Sequence, residues 1–267
     1  VLLEHLEQSP WPDTYDLIGG LVGLGVYALE GRRRPGAVAC LERIIEHLAE
    51  MAERRPDGIT WVSCREWLPA DLHDRYPRRY CNLGLAHGVS GVVAMLGLAC
   101  EAGIAVGEAE PLLEGAVRWL LAQQLPDGFP SGIELNPPAK PTRLAWCYGD
   151  PGVAAALLLA ARCVNEPAWE REALAIARRA ARRPAEQSGV VDAGLCHGAA
   201  GLGHLFNRMF QATGEERLAD ASRFWFERAL QMRRPGRGIG GDEAWTLGED
   251  GTMTWQVKQL CRTHFCL

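Results

Sequence analysis

A phrase of the form G-x-x-G followed by an apolar stretch occurs four times in this chain. The copies are GLVGLGVYAL from Gly20, GVSGVVAMLGLA from Gly88, GDPGVAAALLLAA from Gly149 and GAAGLGHLFNRM from Gly198. Intervals of 68, 61 and 49 residues are too irregular for a short solenoid, but the grammar is constant. Each phrase is followed by a second helical stretch, over 37–55, 110–125, 168–183 and 216–234. In the first of these, Leu41, Ile44, Ile45, Leu48 and Met51 recur at helical spacing. The stretch after each glycine phrase is apolar nearly all round, as a buried helix requires, whereas its partner has one polar face, as a peripheral helix requires. Inner helix and outer helix, repeated, predict an all-α fold, an α/α toroid, occupying residues 1–267 as one domain. The glycine phrases then lie in the loops entering the inner helices, gathered at one end of the toroid around its axis.

The connections between pairs are rich in Pro, Gly and Trp, and the longest run over 56–83 and 126–145. The first is expected to hold a short hairpin around GITWVS. Loops of this length in a compact domain are expected to wall a cleft. With 267 residues, 48% of them hydrophobic, the chain can bury a substantial core. A net charge of -5 excludes a general attraction for nucleic acid or acidic lipid. The arginine clusters at 31–36 and 178–183 read as solvated helix ends and faces. No apolar run reaches the length of a membrane span. The start has neither a basic n-region nor an initiator Met, so the chain reads as a fragment. Nine scattered cysteines argue against a disulfide scaffold and for a reducing cytoplasm, with membrane proximity arising only through partners.

Aligned on the first glycine, the preceding residue is Gly19, His87, Tyr148 and His197, and the one before that is Ile18, Ala86, Cys147 and Cys196. Cys147, Cys196 and His197 thus place three soft or borderline ligands on neighbouring loops. Zinc favours tetrahedral N/S coordination, and three protein ligands leave the fourth position to water or substrate. From spacing alone, the same cysteines read equally as small core hydrophobes. Cys40, Cys100 and Cys163 read as core residues. Cys64 and Cys81, in the long connection, read as structural, with ligation the lesser alternative. His87 reads as a further ligand, a general acid/base or a packed histidine. Asp16, four residues before its own repeat glycine, either accepts a hydrogen bond from His87 or caps a turn. Arg143 lies four residues before Cys147, and His204 reads as a packing or hydrogen-bonding residue of the last inner helix.

WCYGDPG, LCHGAAG, NLGLAHGVSG and YDLIGGLVG together resemble the lanthionine synthetase C-like family, the lantibiotic cyclases, from about residue 10 to about residue 245. The style is closer to a free-standing class I cyclase than to the C-terminal part of a bifunctional enzyme. The resemblance implies an α/α toroid with one zinc at its mouth, held by Cys147, Cys196 and His197. It maps the active-site histidine to His87, its acidic partner to Asp16, and further active-site positions to Tyr148 and Arg143. It implies addition of peptide cysteine thiolates to dehydroalanine or dehydrobutyrine, giving (methyl)lanthionine thioether rings. The substrate is then a dehydrated precursor peptide, with a dehydratase and a transporter as partners in a biosynthetic complex. On this reading His87 protonates the α-carbon and Arg143 stabilises the enolate oxygen.

The family's toroid has seven helix pairs and this chain shows about four, so an incomplete ring, truncated at both ends and exposing apolar surface, is expected. The tail over 246–267 does not read like the family. Alternatives are a cyclase-like protein adding glutathione or another thiol to dehydro residues, and a non-catalytic module that holds a peptide. A glycoside hydrolase on the same fold would need an acidic pair where the columns offer Cys and His.

Overall fold

The computed structural model describes residues 1–68, 73, 76, 78–134 and 140–237, with the backbone of 244–247 and 253–256. After a short α1 (Leu2–Leu6), four helical hairpins follow one another among the described residues. They are α2 (Leu21–Glu30) with α3 (Ala37–Met51), α4 (Val89–Glu101) with α5 (Val106–Ala122), α6 (Asp150–Cys163) with α7 (Pro167–Arg182), and α8 (Ala199–Thr213) with α9 (Glu216–Gln231). α2 packs on α4, α4 on α6 and α6 on α8, which makes an inner row; α3 meets α5 and α7 meets α9 in an outer row. Burial follows the predicted division. α6 buries Val153, Ala154, Ala156, Leu157, Leu158, Ala160 and Ala161 around most of its circumference. Its outer partner α7 buries only Ala173, Ile176, Ala177 and Ala180, a single stripe at helical spacing. Exposed large apolar side chains include Tyr27 of the first pair, 61% accessible, and Leu230 of the last, 65% accessible.

Two outer helices depart from their predicted spans. α3 stops at Met51 because β1 (Glu53–Arg55) pairs antiparallel with β2 (Gly58–Thr60), the hairpin expected near GITWVS. α5 begins at Val106, ahead of the expected start at 110, with Glu108 in its first turn facing the helix dipole favourably.

The long connections are more ordered than loops. β3 (Ser63–Cys64) and β5 (Gly132–Ile133) flank β4 (Arg79–Asn82) in an antiparallel sheet, with Ser63 opposite Tyr80 and Asn82 opposite Gly132. Cys64 and Cys81 are therefore strand residues, and β4 runs straight toward the second glycine phrase. β6 (Ala244–Leu247) pairs with β7 (Met253–Gln256); the rest of the tail expected over 246–267 lies outside the described residues.

Two of the arginines at 178–183, Arg179 and Arg183, correct the expectation of a solvated face. Asp150, fully buried at the start of α6, accepts from Arg179 Nε at 2.9 Å and from the Phe129 backbone N–H at 2.8 Å. Arg183 donates to the carbonyls of Thr142 at 2.9 Å and Asp127 at 2.7 Å. A buried carboxylate needs such partners, so Arg179 of α7 and Arg183 just beyond its end turn inward and pin the 126–145 connection beside the third glycine phrase.

Candidate metal centre

Each glycine of the phrase occupies a position where a side chain would collide with the loop folding back on itself. A Cβ at Gly20, Gly88 or Gly149 would run into the carbonyl oxygen six residues earlier, that of Thr14, Asn82 or Arg143. At Gly198 the obstacles are the Gly194 nitrogen and Asp192 Oδ1. The second glycines, Gly23, Gly91, Gly152 and Gly201, meet the carbonyls of Leu17, Leu85, Trp146 and Leu195 in the same way. The loops are also stitched to one another. Leu17 N–H donates to the Ala86 carbonyl at 3.1 Å, Leu85 N–H to that of Cys147 at 2.9 Å, and Trp146 N–H to that of Cys196 at 3.1 Å. Each bond joins equivalent positions of successive phrases, so the residues just before the glycines converge. Ala86, Ala145, Cys147 and Tyr148 form a small buried cluster there, with Trp146 and Cys196 against it.

Cys147, Cys196 and His197 come together at this mouth, each offering one donor atom, all within 4.8 Å of one another. His87, Cys64 and Cys81 are not part of that group; Cys81 instead directs its Sγ to Glu134 Oε2 at 3.8 Å. Cys147 is buried, and burial pushes its thiol up to about 11, opposed by the charge and hydrogen bond of the Arg143 guanidinium. Arg143 thus stands beside the Cys147 sulfur. Cys196 takes part in a disulfide in this structure, and only its reduced thiol form can ligate a metal. His197 presents Nε2 to Asp192 Oδ2 at 3.4 Å, while its Nδ1 is buried with no hydrogen-bond partner. An orphaned buried ring nitrogen next to two cysteines is what a zinc site of one His and two Cys would look like without its ion.

On the adjoining loops, His87 Nδ1 meets Asp16 Oδ2 at 2.6 Å, with both side chains largely buried. Asp16 Oδ1 at the same time accepts the backbone N–H groups of Ile18 at 3.0 Å and Gly19 at 2.8 Å. The His87 ring lies 6.5 Å from that of Tyr148. Tyr148 is buried, which raises its hydroxyl well above the ordinary tyrosine value, and its oxygen accepts from Asn82 Nδ2 at 3.2 Å. Sequence columns did not single out Asn82 or Asp192. Both stand six residues before a first glycine, a register that could have flagged them. His204 is exposed on α8, which corrects the packing half of its expected role.

Among the described residues no helix is long and apolar enough to cross a membrane. In fold, the chain is similar to nisin cyclase, with a TM-score of 0.71 at 21% sequence identity. The superposition covers 86% of this chain and 60% of nisin cyclase, so the chain spans about three fifths of that protein's length. The family model for lanthionine synthetase C-like protein matches residues 2–232, nearly the whole chain. With the toroidal helix pairs and the ordered glycine loops already in place, that match shows that the chain belongs to the lanthionine synthetase C-like family.

Proposed function

We propose that this chain carries the zinc site and the acid–base pair of a cyclase that adds peptide cysteine thiols to dehydroalanine or dehydrobutyrine. The observation that carries the reading is the convergence of Cys147, Cys196 and His197 within 4.8 Å, with His197 Nδ1 buried and unpartnered. Zinc held there would supply thiol activation, because a coordinated thiol gives up its proton.

The remaining work falls to residues of the chain. The sulfur of the substrate cysteine forms a bond to the β-carbon of the dehydro residue. As it does so, the carbon–carbon π bond breaks and its electron pair moves toward the neighbouring carbonyl oxygen. A proton must then reach the α-carbon, which balances the one the thiol released to solvent or to a base. We assign its delivery to His87: with Asp16 accepting Nδ1–H at 2.6 Å, proton exchange is directed to Nε2. Tyr148, kept protonated by burial and with its oxygen already accepting from Asn82, directs its own hydroxyl proton away from that amide. Arg143 favours the thiolate form of Cys147.

The test is a dehydrated precursor peptide incubated with the reduced, zinc-loaded protein and then treated with a thiol-alkylating reagent. Ring closure leaves the peptide's mass unchanged, so the expected result is a loss of alkylatable thiols. A peptide that stays fully alkylatable contradicts the reading. A mass gain equal to an added free thiol assigns the protein to addition of glutathione or a similar thiol instead.

A further inference from the structure

Six residues before the first glycine, three of the four phrases hold a side chain whose oxygen accepts the backbone N–H two residues on. Thr14 Oγ1 accepts from Asp16 at 3.3 Å, Asn82 Oδ1 from Gly84 at 2.9 Å, and Asp192 Oδ1 from Gly194 at 2.8 Å. A hydroxyl, an amide and a carboxylate fill this slot alike, so closing the turn does not require a charge. Asp192 is nevertheless a carboxylate and only 1% exposed, and burying a charge is costly unless it has a specific partner. Its second oxygen provides one, for Oδ2 lies 3.4 Å from His197 Nε2, on the ring whose Nδ1 is buried without a partner. In the remaining phrase the slot holds Arg143, which turns to the sulfur of Cys147. The two slots nearest the ligands thus carry opposite charges, each directed at one ligand.

We propose that Asp192 is a positioning residue of the metal centre: its carboxylate accepts the Nε2–H of His197, fixes that tautomer and leaves the Nδ1 lone pair for the metal. The inference rests on the zinc reading of the site. A neutral imidazole carries one N–H and one lone pair, and metal-ligating histidines commonly donate their other N–H to a carboxylate, whose loss weakens metal affinity about 10–100-fold.

Zinc affinity of the reduced full chain, measured by competition with a chelator, tests it. Asp192→Asn keeps a turn acceptor of the kind Asn82 supplies, and Asp192→Thr keeps one of the kind Thr14 supplies; both remove the carboxylate that faces His197. Each is expected to bind zinc roughly 10–100-fold more weakly, with far-UV circular dichroism and urea midpoint unchanged. Thr14→Asn, the matched change in a phrase remote from the ligands, is expected to leave zinc affinity unaltered. Parent-like zinc affinity in either folded Asp192 variant overturns the proposal while leaving the metal reading intact. A parent protein that takes up no zinc overturns the metal reading and this inference with it.

Discussion

The two oxygens of Asp16 serve different ends, one closing the turn through Ile18 and Gly19 and the other holding His87. Turn residue and histidine partner, which stand as alternatives in the sequence, coexist on a single carboxylate. Asp16→Asn can keep the turn oxygen but places an amide where His87 Nδ1–H needs an acceptor. We expect Asp16→Asn to fold normally and to lose about 10²–10⁴-fold in thiol-addition rate, the usual contribution of a positioned acid or base. Adding His87→Ala should cost little more, because the pair acts as a unit; the alkylation assay reads both. At this scale the sequence was legible wherever a residue type is rare for its slot, as with Cys147, Cys196 and the two histidines beside glycine. Asn82 and Asp192 were not legible, since polar residues before a turn are commonplace. Nor was the direction of Arg143 or Arg179, whose long side chains reach either water or a buried partner.

At the scale of elements, the glycine phrase is a packing device before it is a functional one. Gly91 illustrates it: a Cβ there would press on the Leu85 carbonyl, 2.7 Å away, in the loop that also bonds to Cys147. Gly91→Ala is expected to destabilise the fold by about 1–3 kcal/mol, as overpacking does. Gly107, in the first turn of α5, has nothing within 4 Å of its would-be Cβ. Gly107→Ala is expected to stabilise by up to about 1 kcal/mol through helix propensity. Urea unfolding of the two variants checks both signs. Helix pairs could be read from periodicity because the signal is local. The β3–β4–β5 sheet could not, because Asn82 pairs with Gly132 across fifty residues and each strand is too short to show alternation.

On the scale of the whole molecule, burial of thiols links stability to pH. Burial is the main cause that pushes Cys81 and Cys163 up to about 11. Between the ordinary thiol range and that value the unfolded chain releases protons that the folded chain retains. Stability therefore falls as pH rises from about 9 toward 11, and Cys81→Ala should reduce the slope; urea midpoints across that range are the measurement. Among the described residues the helix pairs, the toroidal arrangement and the convergence of the loops were legible in the repeat grammar, since equivalent packing of one loop brings the same positions together. Which charges face which ligands emerged only from the folded chain. The most direct measurement is the zinc content of the reduced protein beside that of Cys196→Ala. About one zinc per chain in the parent and none in the variant is the expected result; a parent without zinc, or a variant that retains it in full, would contradict the metal centre.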